Sequence, residues 1–324
     1  MKKNTSIIIG IIIMLFSSFF QMSCATMFLR CAGCTISEAY SDPTALKLVK
    51  AAVGGNSKKV ADLVKEGANP NHLEPDKVPM LLWTICGQNV EGFEALLKAG
   101  ADPNLGGTGH GRGQGDQGRR EGVSSIPINW SAMTFAASIN NPEFLRLAIQ
   151  YGGDLNTEKR GEKAASESGI PLLVAAYHGL FDNVKLLVES GADINVHTET
   201  DSAPEMAIGV GGRFDIAIWF LEHGYTYNLL GLAKTAEGRV VNQALQPYKE
   251  KFIDMLTEKG IQFPVTDVYK ELHKYRELPP GAMQDIVYGR KGCRDFPLKP
   301  GRYNDRTCWG GEMPSGSRKQ QNDI

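Results

Sequence analysis

One five-residue turn recurs along this chain, and its spacing is what most constrains the fold. The turns are Gly67-Ala68-Asn69-Pro70-Asn71, Gly100-Ala101-Asp102-Pro103-Asn104, Gly152-Gly153-Asp154-Leu155-Asn156, Gly191-Ala192-Asp193-Ile194-Asn195 and Gly224-Tyr225-Thr226-Tyr227-Asn228. Their first glycines lie 33, 52, 39 and 33 residues apart. Each turn follows an apolar run, and a pair of small residues stands earlier in the unit. A period of 33 with two insertions marks a solenoid, in which each repeat buries its apolar face only against its neighbours. The 324 residues therefore count repeats rather than globular domains.

Each position in the unit has a physical reason. Proline suits the first turn of a helix, where its missing N–H has no partner to lose. A small-residue pair lets that helix approach its neighbours. The Val-x-x-Leu-Leu spacing of Val184, Leu187 and Val188 puts apolar groups on one face of a second helix. Glycine then ends the helix in a left-handed conformation, and Asp or Asn satisfies the turn backbone. The fullest copy is Pro171-Leu172-Leu173-Val174-Ala175-Ala176-Tyr177-His178-Gly179, followed by Val184 to Asn195. The second copy has Pro79-Met80-Leu81 and Phe93 to Gly100, the third Ala136-Ala137, and the first Ala51-Ala52. The fifth keeps Pro204, with Ile208-Gly209 in place of the alanine pair.

These motifs resemble the ankyrin repeat over residues 43–264. The resemblance implies an all-α solenoid of five to six helix-turn-helix repeats with hairpin fingers, acting by protein binding without catalysis. Fingers and first helices line the binding face in such arrays. A sixth unit is expected at Gly260, 36 residues beyond Gly224, with Phe252-Ile253-Asp254-Met255-Leu256 as its second helix. Residues 265–288 read as a polar C-terminal cap, with a helix from Val265 to Leu278 carrying Leu272 and Tyr275. Residues 289–324 read as a flexible tail rich in Gly, Arg, Lys and Pro.

The insertions, 105–125 and 157–169, are where the array is not generic. The first is glycine-rich and carries Arg112, Arg119 and Arg120 against Asp116 and Glu121. It should extend a finger and favour an acidic partner surface. Trp130 stands beside it as either an apolar anchor or a filler between repeats, and Trp83 reads as core.

The N-terminus begins Lys2-Lys3 and then runs uncharged for 26 residues, from Asn4 to Leu29. Residues 1–23 fit a secretory signal. An anchor extending to Leu29 is long enough to span a bilayer. Gln21-Met22-Ser23-Cys24 also resembles a bacterial lipobox, which makes Cys24 a lipid-attachment site and residues 24–42 a tether. All three readings export the repeats to a bacterial periplasm, and Ala25 after Cys24 favours the outer membrane. Cys31-Ala32-Gly33-Cys34 is a CxxC, but it abuts the signal segment instead of opening a helix in a βαβ fold, so it reads as tether.

Of the six cysteines only Cys86 lies inside the repeats, so the fold is expected not to rest on bridges. Cys293 and Cys308 are the candidate disulfide; their 15-residue separation corresponds to ~3 kcal/mol in the chain-entropy model. Gly113-Gln114-Gly115-Asp116-Gln117-Gly118 matches G-x-G-x-x-G but lacks the strand and helix a phosphate cradle needs. The six histidines show no metal-ligand spacing, and no nucleophile–base–acid set stands out. A formal charge of −1 argues against nucleic-acid binding. No metal, cofactor, small-molecule substrate or catalytic residue is expected. The sequence reads as an exported scaffold for another protein. One role for such a chain is immunity, neutralising a toxic effector such as a type VI lipase. The alternatives are a periplasmic interaction protein in stress defence or envelope assembly, and an enzyme with an unrecognised site.

Overall fold

The computed structural model describes residues 29–107, 129–156 and 169–301. The structure is an all-α ankyrin-type repeat solenoid, with strand confined, among the described residues, to one short hairpin. It divides into two compact units, residues 1–175 with 182–193, and residues 176–181 with 194–324.

The first unit opens with β1 (Arg30–Cys31) antiparallel to β2 (Cys34–Thr35). Ala32 at φ 49° and Gly33 at φ 86° form the two-residue turn, the positive-φ pair that suits tight hairpins. Next comes α1 (Ile36–Ala39), opened by a capping box between Thr35 and Glu38. Residues from 29 onward in the segment assigned to a tether are thus folded structure. The helix pairs follow: α2 (Pro43–Val53) with α3 (Ser57–Lys65), α4 (Met80–Cys86) with α5 (Val90–Lys98), α6 (Ala132–Ala137) with α7 (Pro142–Gln150), and α8 (Pro171–Tyr177) with α9 (Phe181–Glu189). Three second helices start on an asparagine whose side chain accepts a first-turn N–H: Asn56 from Lys59, Asn89 from Gly92 and Asn141 from Glu143.

Small residues stand where helices touch. Ala52, Ala136, Ala137, Ala175 and Ala176 have no exposed surface. The closest approach is Gly92 on α5, where an added Cβ would lie 1.8 Å from the carbonyl oxygen of Ala52 on α2. Larger groups fill the space between repeats, as in the edge-to-face pair of Phe93 and Phe144 at 5.2 Å.

Every second helix ends in the same way. Gly67, Gly100, Gly152, Gly191, Gly224 and Gly260 all have φ between 91° and 105°. The next N–H reaches back to a carbonyl five residues earlier, as in Ala68 to Leu63 at 3.0 Å and Ile261 to Leu256 at 3.0 Å. This is the Schellman closure, and Gly260 marks the sixth unit. Beyond each turn an asparagine joins one finger to the next. Asn71 donates to Gly100 O at 2.9 Å and accepts from Asp102 N at 2.7 Å. Asn104 repeats the pair with Gly152 O at 2.9 Å and Asp154 N at 2.7 Å. Asn156 accepts from Asp193 N at 2.8 Å. A second line of bonds runs between helix pairs, where Asn89 donates to Val53 O at 3.1 Å and Asn183 to Ile139 O at 2.9 Å.

The second unit contains α10 (Ala203–Gly211), α11 (Phe214–Glu222), α12 (Leu229–Glu237), α13 (Gln246–Glu258), α14 (Val268–Tyr275) and α15 (Ala282–Val287). Asn195 accepts from Thr226 N and Tyr227 N, continuing the finger bonds. Arg213 and Arg239 take over the inter-pair role, donating to Gly179 O and Gly209 O. The finger bonds stop at Asn228, which turns its side chain onto Gly231 N at 3.0 Å and caps α12.

The C-terminal cap is more extensive than the sequence suggested. Leu272, Ala282, Ile286 and Phe296 form a buried cluster with Leu278 against it. Backbone bonds Glu277 N to Pro297 O and Lys299 N to Tyr275 O fasten residues 297–299 beside 275–277. Residues 289–301, expected as part of a flexible tail, are therefore part of the fold. Phe296 supplied too little periodicity to be seen as core.

Three charged side chains lie buried in this unit among the described residues, Arg276 and, most deeply, Glu237 at 1% exposure and Lys249 at 0%. The Glu237 carboxylate accepts from Val265 N, Thr266 N and the Thr266 hydroxyl, pinning the start of the cap. The Lys249 ammonium donates to the carbonyls of Glu237 and Arg239. Burial pushes Lys249 down to about 7, against the opposing pull of Glu237 and with a further push from Arg239.

Two expectations follow. Asn104→Ala removes both finger bonds and should cost about 1–2 kcal/mol in a urea melt. Asn104→Asp keeps the acceptor to Asp154 N but loses the donor to Gly152 O, so its loss should be smaller. Equal losses would show that the two bonds do not act separately. For Lys249, the unfolded chain keeps its proton up to an ordinary 10.5 while the folded chain releases it near 7. Folding is then coupled to proton loss across that window, and this group's contribution to stability rises with pH. Lys249→Met should flatten the rise; an unchanged pH slope in the variant would contradict the assignment.

Candidate protein-binding surface

The finger edge is built from turn chemistry upward. Asn69, Asp102 and Asp154 each accept from the N–H two residues on, at Asn71, Asn104 and Asn156, with distances of 2.8–2.9 Å. These Asx turns hold the asparagines in place for the finger bonds. Asp102, Asp154 and Asp193 are exposed and line the edge in the first unit. The turn bonds account for Asp102 and Asp154, so this acidic row has a structural origin. In the second unit His197 stacks flat on Tyr227, with centroids 3.8 Å apart and planes within 5°. Its Nδ1 lies 2.8 Å from Thr198 O. Tyr225 and Ser202 lock the base of that finger, the phenol donating to the Ser202 hydroxyl at 2.9 Å.

At the first two repeats the chain covers its own helices. Residues 29–42 form a strap that touches α2 through α1 and α4 through β1. Four contacts fasten it. A disulfide joins Cys31 to Cys86, with Cα atoms 5.8 Å apart. Leu29 lies against Gly87. The Tyr40 ring tilts against Trp83 at 6.4 Å and His72 at 6.2 Å. Ser41 donates through its N–H and hydroxyl to Glu74, at 3.1 and 2.8 Å. Hydrogen bonds from Ser41 and His72 hold the Glu74 carboxyl down to about 2.

The bridge corrects the expectation that no disulfide serves the fold. Cys86 sits at the end of α4, and its partner comes from the CxxC read as tether. Spacing alone could not pair cysteines 55 residues apart; the available signal was an isolated array cysteine beside unassigned ones. Cys34 is free and half-buried. The proposed partner Cys308 lies outside the described residues, as do Cys24, Arg112, Arg119 and Arg120. Trp83 is fully buried, in keeping with the core reading. Trp130 is 7% exposed and packs as a filler; a surface anchor would need its indole free. Its Nε1 has no hydrogen-bond partner.

Among the described residues no three His, Cys, Asp or Glu side chains converge as a metal site. No described helix is long and apolar enough to cross a membrane, and the N-terminal segment to residue 28 lies outside that search. The second unit has an open groove of about 590 Å³ lined by Ile253, Thr257, Phe263, Val287 and Tyr288. The Tyr288 hydroxyl donates to Asp254 at 2.8 Å, and the lining mixes apolar side chains with Thr257, Gln262 and Tyr288.

The family model of ankyrin repeats, described as three copies, matches residues 118–198. No curated protein matches the chain.

The strap suggests a test of buried polarity. The Tyr40 hydroxyl and Trp83 Nε1 lack partners in hydrogen-bond geometry. Burial pushes the phenol well above its usual pKa, Cys34 and Glu74 push it further, and the nearby indole opposes them slightly. An orphaned buried hydroxyl costs about 1–3 kcal/mol. Tyr40→Phe should therefore leave the melting temperature unchanged or raise it, and a clear fall would reveal a partner for the hydroxyl.

Proposed function

We propose that this ankyrin-repeat chain, a protein-interaction scaffold by its repeats, works in the bacterial envelope, where it binds one protein partner along its finger edge and neutralises it as a toxic secreted effector. The finger edge carries the reading. Asn71, Asn104 and Asn156 spend their side chains on the neighbouring backbone. Successive fingers are thus held in fixed register, which lowers the ordering cost of presenting a long surface. Export is supported by the Lys2-Lys3 start and the uncharged run after it. The Cys31–Cys86 bridge supports it independently, since structural disulfides persist in oxidising compartments. Tethering through Cys24 or an N-terminal anchor would keep the scaffold at the membrane. The free Cys34 beside a disulfide favours a second reading, a redox-linked role in envelope stress defence.

Partner capture and location are tested separately. Residues 108–122 include Arg112, Arg119 and Arg120 and can be replaced by a short Gly-Ser link, leaving the Gly106–Ser131 bridge intact. The variant should melt like the parent and bind the product of a neighbouring effector gene more weakly. Unchanged affinity would move the contact to other finger residues. Fusion of residues 1–40 to alkaline phosphatase should give active enzyme, and a stable but inactive fusion would overturn export. Growth rescue by co-expression with the effector separates immunity from stress defence.

A further inference from the structure

We propose that Cys34 is the nucleophile of an internal thiol–disulfide exchange site, which moves the bridge from Cys31–Cys86 to Cys31–Cys34 and unbolts the N-terminal strap from α4. Three sulfur-bearing residues meet at one place. Cys31 is the shared centre, bonded to Cys86 and paired in strand register with Cys34. The Cys34 thiol already points back at its pair, with Sγ 3.5 Å from Cys31 O. Cys31 is buried, at 2% exposure, while the attacking and leaving positions, Cys34 and Cys86, are both half-buried and within reach of water.

The step balances without an added oxidant or reductant. Cys34 loses its proton to solvent, and the thiolate attacks Cys31 Sγ. The Cys31–Cys86 S–S bond breaks as the Cys31–Cys34 bond forms. Cys86 leaves as thiolate and takes a proton from water. The number of disulfides is the same before and after; what changes is that the strap no longer has a covalent hold on α4. The surface beneath includes Leu82, whose carbonyl the Cys31 sulfur faces at 3.7 Å, and the fully buried Trp83. Both belong to the first helix of the second repeat, so the exchange uncovers first-helix surface that the strap otherwise occupies.

The resting state is held by more than the bridge. The remaining fastenings are Leu29 against Gly87, the Tyr40 contacts with Trp83 and His72, and the Ser41–Glu74 bonds. Burial pushes the Cys34 thiol up; Lys77 opposes this, Glu38 adds to it, and Arg30 opposes it. Tyr40, also close by, stays neutral because burial holds its proton. Exchange is therefore slow near neutrality and speeds up as pH rises, in step with the thiolate fraction.

The test uses the full chain, incubated near pH 8.5, the ordinary thiol range, with no added thiol. Acid quenching, N-ethylmaleimide labelling and non-reducing peptide mapping then locate each free thiol, with Cys24, Cys293 and Cys308 read on separate peptides. The expected result is label at both Cys34 and Cys86 together with a Cys31–Cys34 peptide. Label confined to Cys34 after prolonged incubation would overturn the proposal. Cys34→Ser should leave Cys86 unlabelled; labelling there would show another thiol doing the work. Lys77→Ala should slow the transfer several-fold at fixed pH, and an unchanged rate would remove Lys77 from the site. Cys86→Ser traps the product: the helical signal should persist, a Cys31–Cys34 bridge should form on air oxidation, and amides of residues 80–86 should exchange faster. A folded Cys86→Ser chain that leaves Cys31 and Cys34 both alkylatable would also overturn the proposal. Should that variant not fold, the label transfer in the parent chain decides.

Discussion

The finger asparagine is the interaction on which the array depends. A single repeat has too little apolar surface to fold alone, so something must fix each repeat against the next. The side-chain amide of Asn71 or Asn104 does this by donating to one backbone carbonyl and accepting from one backbone N–H of the following turn. An aspartate could only accept. The bond forms because a left-handed glycine and an Asx turn have already shaped both fingers. Where the amide instead accepts from Gly231 N, at Asn228, the finger is replaced by the start of α12, and one more unit, ending at Gly260, precedes the cap.

The ends of the repeat array solve a different problem, since a terminal repeat has a face with no neighbouring repeat. At one end the answer is covalent. The strap lies on α4 through the Cys31–Cys86 bridge and covers Trp83, leaving two polar atoms without partners. At the other end it is polar and apolar together. Glu237 binds the backbone at Val265 and Thr266, Lys249 ties two carbonyls, and Leu272, Ala282, Ile286 and Phe296 close over one another. Burying Lys249 costs proton affinity; the charge of Glu237 only partly offsets this cost and Arg239 adds to it.

What the sequence disclosed and what it hid divide along this line between repeat and end. Glycine at a helix end, alanine at a helix contact and asparagine at a finger have local causes, so their spacing alone revealed five turns, the buried Ala175-Ala176 pair and the terminal unit at Gly260. The Cys31–Cys86 bond has no local cause; it depends on a strap folding back over α4. The same holds for Phe296, which is core only because residues 297–299 lie beside 275–277. Trp130 was ambiguous for a related reason. Its neighbours along the chain are polar and small, and only packing shows it to be buried.

Binding specificity has to come from residues the repeat does not need. Asp102 and Asp154 are exposed, yet each is committed to its turn, and changing either would disturb the finger before it changed a partner contact. Among the described residues, an exposed group without such a duty sits at a finger tip, Glu199 in the second unit. The strap adds a control that the repeats lack. It occupies first-helix surface that is interaction surface in arrays of this kind, and it is held by a bond that a thiol three residues away can exchange. In the exchange proposed above, the cysteines at the array's edge set how much first-helix surface of the second repeat the strap leaves covered.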